Sequence, residues 1–591
     1  MAKGNISVNT DNILPVIKKW LYSDKDIFLR ELVSNGCDAI SKMKQISSSE
    51  DNFFVKVTVD KKNKILIISD NGIGMTADEI EKYIAQVAFS GAEEFFEKYS
   101  KESENNTIIG HFGLGFYSAF MVADKVEIES LSFTENGKSA HWSCDGGIEY
   151  EITDGVKPER GTDIILHISK ENEEFLEIEK VTEILNKYCY FLPVDIYIID
   201  AEKEKNVELK PLNEKMPLWL KNPSDCTDEE YINFYHTVFN DFEPPLFWIH
   251  LNVDYPFNMK GILYFPKLKH EAGSLEGQIK LYNNQVFVAD NIKEVIPEYL
   301  MLLKGCIDCP DLPLNVSRSF LQNDGYVKKV SAHITKKVSD KLTGLFKTDR
   351  DKIEKSWDDI SPFVKYGCMR DDTFYDKVKD IVLYKSTEER YYTIDEYTEG
   401  KDDKTIYYTS NPEMQAQYIE MFKNDGKTVI LLPYAIDTHF LSFMEFKNKD
   451  IKFKRIDASI DGNAEKSTEN NTLISKFKDA IGDDKIKVEC ANLPNTKLPA
   501  VINLSEESRR MQEMSAMIMG KIGDIPEDIT VILNLSSPII SKLISNNDNE
   551  FNKLVCNYIY DIAMMAHRPL SSERMTAFIE RSNDILSKIG E

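Results

Sequence analysis

The sequence predicts a mixed α/β (α+β) protein in three domains, of which the last is mainly helical. Strand-like alternation of apolar residues stands beside helix-like spacing in the N-terminal third, and two polar stretches without apolar periodicity, residues 201–215 and 457–472, interrupt the chain. A length of 591 residues allows about three to five domains. We therefore expect an N-terminal domain over residues 1–210, a middle domain over 216–455 and a C-terminal domain over 473–591.

The composition excludes two classes of protein. Hydrophobic residues make up 42% of the chain and charged residues 29%, and no apolar stretch approaches the roughly 18 residues of a membrane span, so the chain is neither a disordered acidic tail nor a membrane protein. A net charge of −26 disfavours a protein that coats nucleic acid, which needs a basic surface. The N-terminus carries no apolar signal segment, and we expect a cytoplasmic protein.

The cysteines predict neither a disulfide framework nor a metal centre. Nine cysteines are few for this length, and their spacings form no regular ladder. Cys306 and Cys309 form a single CxxC, which is a weak zinc signal without a second pair or a nearby histidine. We expect both to be ordinary core residues.

The first predicted helix carries polar residues on one face. After Ser23, a capping residue, apolar residues at three- and four-residue spacings predict an amphipathic helix from about Ile27. Glu31 and Asn35 lie one turn apart on it, and Asp38 follows. A carboxylate beside an amide can polarise a water molecule and coordinate a hard cation, although such a pair also occurs on solvated helix faces.

An aspartate ends the second predicted strand. Residues 55–59 alternate as a strand does, and residues 65–70 continue after a polar turn, closing with Asp70, which Gly72 and Gly74 follow. A fixed carboxylate beside backbone that a flat ligand can approach closely suits an adenine amino group. The other interpretation is a strand-to-helix turn with Asp70 as its cap.

Glycines precede an apolar helical segment farther along the chain. Gly110, Gly113 and Gly115 come directly before residues 116–122. Backbone N–H groups at the start of a helix can hold phosphate, although the spacing here is not that of a P-loop. Thr162 opens a later strand, where its hydroxyl could complete the contacts to an adenine.

In this order, these motifs resemble the Bergerat-type ATP-binding fold that the ATPase component of DNA gyrase, MutL, sensor histidine kinases and the heat-shock protein 90 chaperones share. Local sequence narrows the resemblance to the bacterial heat-shock protein 90 family. The segments that carry it are 27–35 (IFLRELVSN), 113–118 (GLGFYS), 217–219 (PLW), 222–225 (NPSD), 279–282 (IKLY) and 311–318 (DLPLNVSR). The resemblance extends over all three domains and is weakest after residue 455.

The resemblance implies a homodimeric chaperone that binds and slowly hydrolyses ATP with Mg²⁺, and it gives roles to particular residues. Glu31 would polarise the attacking water, and Asn35 would ligate Mg²⁺. Arg318 would reach the γ-phosphate from the middle domain, with Gln322 beside it, and Asp70 would accept from the adenine amino group. The other residues implied to bind nucleotide are Asp38, Gly74, Met75, Gly110, Phe112, Gly113, Gly115, Phe116 and Thr162.

Three positions depart from the family pattern. Phe89 replaces a lysine that can touch phosphate, and Tyr83 replaces an asparagine that contacts the nucleotide. Ser319 follows Arg318 where the family usually has an acid. We therefore assign no role to Phe89 or Tyr83.

Helical stripes near the C-terminus fit either a helix pair packed within its own domain or a contact between two copies. The resemblance implies the latter, a four-helix dimer interface, with non-native client proteins and a DnaK-type chaperone as further partners, and neither nucleic acid nor a membrane. Three methionines on one short predicted helix suit promiscuous apolar binding or a core. The stripes are Phe551, Val555, Ile559, Ile562 and Ala566, and Met575, Ile579, Leu586 and Ile589; the methionines are Met511, Met514 and Met519.

Two other functions stay open on the sequence. A MutL- or gyrase-like ATPase that acts on DNA shares the ATP site, but it should carry a basic groove, which the acidic balance disfavours. A holdase that binds nucleotide without turnover is the second alternative, because Phe89 and Ser319 depart from the family pattern and an altered site can lose its chemistry while it keeps its pocket.

Overall fold

The computed structural model divides the chain into two compact units, residues 1–338 and 339–591. The division into three domains stays a prediction. The residues that the structure describes are 24–46, 52–86, 109, 113–134, 138–147, 149–203, 210–267, 277–291, 295–312, 314, 324–457, 470–482, 486–493, 495–504, 529–566 and 570–589.

The first unit begins with a seven-stranded sheet and the helices packed on it. The strands are β1 (Phe54–Asp60), β2 (Ile65–Asp70), β3 (Ala123–Leu131), β4 (Ala140–Cys144), β5 (Glu151–Asp154), β6 (Gly161–Ile168) and β7 (Asp195–Asp200). The helices are α1 (Ile27–Ile46), α2 (Ala77–Tyr83) and α3 (Ile178–Cys189), with 3-10 helices at Gly115–Met121 and Lys170–Leu176. The strand order is β5-β4-β3-β6-β2-β1-β7. The described neighbours are antiparallel, except that β1 and β7 are parallel.

The structure confirms the helix and the strand pair predicted near the N-terminus. β1 and β2 pair antiparallel and alternate between buried and half-buried residues, so one face of the sheet belongs to the core. Helix α1 covers that face with apolar side chains that include Phe28, Leu32 and Val33, all fully buried. The segment after the glycines is a 3-10 helix over Gly115–Met121, and β3 begins soon after it at Ala123.

A five-stranded sheet follows in the first unit. Its strands are β8 (Phe247–Val253), β9 (Met259–Phe265), β10 (Gln278–Asn283), β11 (Val286–Asp290) and β12 (Lys304–Asp308), in the order β11-β10-β12-β9-β8. Helix α4 (Asp228–Phe239) and 3-10 helices at Leu218–Leu220, Pro223–Asp225 and Glu298–Leu300 accompany it, and α5 (Asp324–Thr348) follows. One apolar cluster joins the two sheets. Part of the predicted linker is fixed in place, since Asn213 Nδ2 donates to the carbonyls of Leu192 and Val194 at 2.8 Å.

The second unit combines small sheets with helices. The helices are α6 (Arg350–Arg370), α7 (Asp372–Val378), α8 (Ile394–Thr398), α9 (Ala416–Asn424), α10 (Ala435–Lys447), α11 (Asn471–Ile481), α12 (Pro538–Ser545), α13 (Asn549–Met565) and α14 (Ser572–Ile589), with a 3-10 helix at Lys379–Ile381. The strands are β13 (Tyr384–Lys385), β14 (Tyr391–Tyr392), β15 (Thr405–Thr409), β16 (Val429–Leu431), β17 (Lys452–Arg455), β18 (Lys487–Ala491), β19 (Ala500–Leu504) and β20 (Ile529–Asn534).

The described strands of this second unit form three sheets. β13 pairs with β14, the order β16-β15-β17 forms a parallel sheet, and the order β18-β20-β19 forms a mixed one. The mixed α/β class predicted from the sequence is thus confirmed, and the C-terminal part contains a three-stranded sheet beside its helices. Within the described residues, no helix combines the length and the apolar character that crossing a membrane requires.

Candidate functional site

The polar face of α1 lies at the centre of the site. Glu31 is 6% exposed, Asp38 is also buried, and Asn35 is half-buried. Spacings of four and three residues place the three side chains on one side of the helix. Within the described part of the chain the Asn35 amide has no hydrogen-bond partner.

Arg30 and Gly115 surround the carboxylate of Glu31. Arg30 Nε donates to Glu31 Oε1 at 2.9 Å, and a second guanidinium nitrogen lies 2.8 Å from the same oxygen. Arg30 is itself only 2% exposed and lies 5.7 Å from the ring centroid of Tyr188. A buried carboxylate needs a paired positive charge, and Arg30 supplies it. A Cβ built on Gly115 would lie 2.7 Å from the other oxygen, Glu31 Oε2.

Asp70 closes β2 and is 8% exposed. Its Oδ1 accepts from the backbone N–H of Gly72 at 2.8 Å. Burial raises the pKa of this carboxyl to about 7, and the Gly72 N–H and the charge of Lys157 oppose part of that rise. The carboxyl therefore changes its charge near neutral pH.

A hydroxyl pair lies beside Asp70 in the sheet. Thr162 of β6 is the register partner of Asp70, and its Oγ1 lies 2.9 Å from Ser130 Oγ on β3. Ser130 Oγ also accepts from the backbone N–H of Met75 at 2.9 Å and lies 3.2 Å from the carbonyl of Gly161. The fully buried Ser130 thus fixes both a strand-end hydroxyl and the segment that follows Asp70.

Ser130 is a site residue that the sequence reasoning missed. A signal for it exists, because β3 alternates its buried positions and Ser130 stands where Val126 and Ile128 predict another apolar side chain. A polar residue at a core position needs a partner. Only the structure shows that this partner belongs to the site.

Gly74 lets the chain after Asp70 pass close to β3. Its φ is +65°, and a Cβ at this position would lie 1.9 Å from the carbonyl oxygen of Leu131. No side chain fits there. The predicted site glycine therefore holds the backbone of Met75 within reach of Ser130.

The carboxylate of Asp38 binds the backbone just before the glycine-rich segment of residues 110–115. Its Oδ1 accepts from the backbone N–H of Ile109 at 2.7 Å. At the other end of the loop, Phe116 is buried, with its ring centroid 5.7 Å from that of Trp142. Asp38 therefore holds the backbone at Ile109, and because the Phe116 side chain is buried, contacts to a ligand from Phe116 would come from its backbone.

The residues present fit ATP and Mg²⁺. Asp70 and Thr162 offer buried polar groups to a base, and the Asn35 amide, which has no hydrogen-bond partner among the described residues, lies one turn from Glu31. Among the described residues no three His, Cys, Asp or Glu side chains gather into a metal site of their own. Proteins commonly hold Mg²⁺ through one or two side chains together with substrate phosphates and water, and the Asn35 amide could be such a side chain.

Four predicted site residues lie outside the described residues: Gly110, Phe112, Arg318 and Gln322. So do Phe89, Ser319 and the three methionines 511, 514 and 519. Of the predicted residues that are described, the structure groups Glu31 with Gly115 and, separately, Asp70 with Thr162, Gly74 and Met75.

The CxxC is part of the core, as expected. Cys306 and Cys309 are free and fully buried. Burial raises the pKa of both thiols to about 12. They therefore stay protonated at neutral pH, and a thiolate that could bind zinc is disfavoured.

Comparison with known proteins identifies the family. The family described as "Hsp90 protein" matches residues 200–589, and the family described as "Histidine kinase-, DNA gyrase B-, and HSP90-like ATPase" matches residues 24–152. The chain is 41% identical to the chaperone protein HtpG of Bacteroides fragilis strain YCH46, over 93% of this chain and 85% of that protein. It is 42% identical to HtpG of Porphyromonas gingivalis strain ATCC 33277, over 92% and 84%.

A more distant relative covers both chains almost completely. HtpG of Idiomarina loihiensis is 31% identical over 99% of this chain and 99% of its own. Family matches over both parts of the chain and relatives aligned along its length agree with the resemblance that the motifs carry. The chain belongs to the Hsp90 family of ATP-dependent chaperones.

Proposed function

We propose that this chaperone works as a homodimeric clamp, in which Glu31 activates the water that hydrolyses ATP and Asp70 recognises the adenine. The observation that carries the proposal is the setting of Glu31. It is a buried carboxylate with one oxygen held by Arg30 and the other beside Gly115, on the same helix face as Asn35.

Adenine recognition rests on Asp70 and the hydroxyls beside it. The ionised carboxylate accepts from the adenine amino group. The Thr162 hydroxyl, which Ser130 orients, offers a further hydrogen bond to the same base. Oδ1 accepts from the backbone N–H of Gly72, and we propose the second Asp70 oxygen for the contact to the adenine. A buried acceptor discriminates strongly against bases that lack the matching donor.

Hydrolysis rests on position and charge. Mg²⁺ bound with the nucleotide would neutralise phosphate charge, and we propose Asn35 as its side-chain ligand. Glu31 orients and polarises the attacking water through Oε2, while Arg30 keeps Oε1 fixed. We propose Arg318 for the γ-phosphate and Gln322 beside it; an arginine there would stabilise the charge that develops in the transition state.

A direct test replaces the carboxylate that is proposed to activate the attacking water. Glu31→Ala should abolish steady-state ATP turnover and leave nucleotide binding, measured by calorimetry, within a few-fold of the unmodified chain. Glu173→Ala is the matched control, because that glutamate is half-exposed and pairs only with Lys64 at 2.6 Å among the described residues. Normal turnover in Glu31→Ala would overturn the mechanism. Arg318→Ala should also lose turnover if Arg318 reaches the γ-phosphate as proposed.

Dimerisation is proposed through the C-terminal helices. Met575, Ile579 and Leu586 on α14 are 37%, 53% and 66% exposed, and burying such a face needs a partner. Small-angle scattering of the chain with and without a non-hydrolysable ATP analogue tests the clamp. Compaction of a dimer supports it, whereas an unchanged profile or a monomer contradicts it.

Client proteins in non-native states and a DnaK-type co-operating chaperone are the proposed partners, and the cytoplasm is the proposed compartment. All nine cysteines are free, which suits a reducing environment.

A holdase without turnover would show no ATPase activity sensitive to an inhibitor of the adenine pocket. That single assay therefore separates the ATP-hydrolysing chaperone from the holdase.

A further inference from the structure

A tyrosine in the last turn of α3 lies against the arginine that pairs with Glu31. Arg30 and Tyr188 are both buried, and the guanidinium carbon of Arg30 lies 5.7 Å from the centre of the Tyr188 ring. An aromatic ring attracts a guanidinium at this distance, and the attraction is stronger where water is excluded. Tyr188 has no part in the ATP chemistry proposed above.

Arg30 is the direct neighbour of Glu31 on α1, and this makes its position demanding. Consecutive side chains on an α-helix point about 100° apart, so the guanidinium reaches Glu31 Oε1 only when its long side chain bends around the helix. An arginine side chain loses much rotamer freedom when it is held in one such position. Contact with the Tyr188 ring restricts where the guanidinium can lie while it pairs with Glu31.

The five-stranded sheet fixes Tyr188 in turn. Its ring centroid lies 5.8 Å from that of the buried Phe287 on β11, and α3 packs against β11. Tyr188 also belongs to the buried face of α3, on which Val181, Ile184 and Leu185 precede it at three- and four-residue spacings. The ring is therefore held both by its own helix and by a strand of the second sheet.

Phe191, three residues after Tyr188, holds the same end of α3. Its ring centroid lies 4.6 Å from that of Trp219 and 5.5 Å from that of Tyr282 on β10, and the ring of Tyr282 lies 5.8 Å from Phe287. Aromatic pairs at these separations and tilted or edge-to-face angles attract each other. The end of α3 thus cannot shift without disturbing the aromatic side chains that pack on the five-stranded sheet.

We propose that Tyr188 is a positioning residue for ATP hydrolysis, because its ring holds Arg30 and Arg30 holds the carboxylate of Glu31. The contact with Phe287 links this position to the five-stranded sheet. The inference rests on the proposed role of Glu31 in activating the attacking water. Turnover then depends on how α3 packs on β11, whereas adenine recognition at Asp70 does not.

Steady-state ATPase assays on the full chain test the proposal. Tyr188→Leu keeps an apolar side chain but removes the ring, so kcat should fall at least fivefold while KM for ATP changes less than twofold. Tyr188→Phe keeps the ring and should retain kcat within twofold of the unmodified chain. A normal kcat in Tyr188→Leu, an equal loss in Tyr188→Phe, or a KM that rises as much as kcat falls would overturn the proposal.

The matched control is Tyr197→Leu on β7. Tyr197 is the register partner of Lys56 on β1, next to the buried pair of Val55 and Ile196, so its side chain points away from the sheet face that α1 covers. This variant should leave kcat unchanged. A loss as large as in Tyr188→Leu would show that any tyrosine in this domain has the same effect, and it would contradict a specific role for Tyr188.

Two further variants separate positioning from a general loss of structure. Phe287→Leu changes the packing from the side of the five-stranded sheet and should lower kcat at least threefold, with the calorimetric affinity for ATP within twofold. Arg30→Gln removes the charge that the ring attracts, so adding Tyr188→Leu to it should lower kcat less than twofold further. A further fall as large as in the unmodified chain would show that Tyr188 does not act through Arg30.

Glu31→Ala distinguishes a failure of this inference from a failure of the proposed function. If Glu31→Ala abolishes turnover while Tyr188→Leu and Phe287→Leu retain it, Glu31 keeps its proposed role and the role of Tyr188 is wrong. If Glu31→Ala retains normal turnover, the proposed function is wrong, and the positioning role of Tyr188 is wrong with it.

Discussion

Gly115 leaves the space that the carboxylate of Glu31 occupies: a Cβ at position 115 would lie 2.7 Å from Oε2 of Glu31. The atom that a Cβ would meet is the far end of a flexible side chain, so an alanine would displace the carboxylate and leave the backbone in place. The position of this carboxylate is therefore coupled to the start of the 3-10 helix at Gly115–Met121.

Gly115→Ala should lower ATP turnover about 10- to 100-fold, since a displacement of about 1 Å at a catalytic group can cost this much. Nucleotide affinity should fall less than turnover, because the adenine contacts at Asp70 stay intact. Gly147→Ala is the matched control, as a Cβ there meets nothing within 4 Å. Equal turnover in the two variants would show that Glu31 tolerates the displacement.

The sequence predicted the polar face of α1 and the strand that ends at Asp70, because both follow from periodicity within a few residues. It did not predict the Arg30–Glu31 pair. Sequence reasoning on a helix looks to partners three or four residues apart, whereas adjacent residues do not normally face each other. Burial of both side chains against the rest of the domain brings them together here.

Ser130 was beyond sequence reasoning for a different reason. Its partners Met75 and Thr162 are 55 and 32 residues away, and only the order of β2, β6 and β3 in the sheet brings the three together. Strand order is a long-range property that local patterns do not encode. The same holds for Asn213, which stands in a stretch with the composition of a linker but is hydrogen-bonded to the end of the helix-to-strand connection before β7.

Asp70→Asn should stabilise the nucleotide-free protein at high pH. The pKa of Asp70 is raised from 3.8 to about 7 in the folded state, so between these values the folded state holds a proton that the unfolded state has lost. Stability attributable to this group therefore falls as pH rises from about 4 to about 7, by on the order of 4 kcal/mol. The variant lacks this fall, so its urea midpoint should exceed that of the unmodified chain at pH 8 but not at pH 4.

Asp154→Asn controls for the loss of a negative charge, because Asp154 is exposed at the end of β5. Its urea midpoint should follow that of the unmodified chain across the pH range. If Asp70→Asn gives parallel curves as well, the raised pKa of Asp70 is wrong.

Binding of ATP should release protons near neutral pH. Asp70 must be ionised to accept from the adenine amino group, whereas burial keeps much of it protonated below a pKa of about 7. Affinity should therefore weaken as pH falls from 8 to 6. Calorimetry at pH 6.5 in two buffers of different ionisation enthalpy measures the release. An apparent enthalpy that is the same in both buffers would contradict it, and Asp70→Asn should lose both affinity and proton release.

Ser130→Ala should weaken ATP binding roughly tenfold. The change removes the acceptor of the Met75 N–H and the partner of the Thr162 hydroxyl, so two buried groups at the adenine edge lose their hydrogen bonds at about 1–3 kcal/mol each. Ser132→Ala is the matched control two residues along, since the buried Ser132 hydroxyl has no partner among the described residues. Equal affinities of the two variants, measured by calorimetry, would show that Ser130 has no part in recognition.

Asp561→Ala should weaken the proposed dimer. The Asp561 carboxylate on α13 is 1% exposed and accepts from Arg574 Nε at 2.8 Å and from Arg581, so it fixes two positions of α14. Those positions flank Ile579, the centre of the exposed apolar stripe. Without the carboxylate, two arginines lose their shared partner and α14 loses its fixed orientation. We expect the dimer dissociation constant to rise at least tenfold in sedimentation experiments.

Asp584→Ala is the control, at an exposed position of α14 itself, and it should leave the dissociation constant unchanged. If Asp561→Ala also leaves the constant unchanged, dimerisation does not depend on how α14 is held.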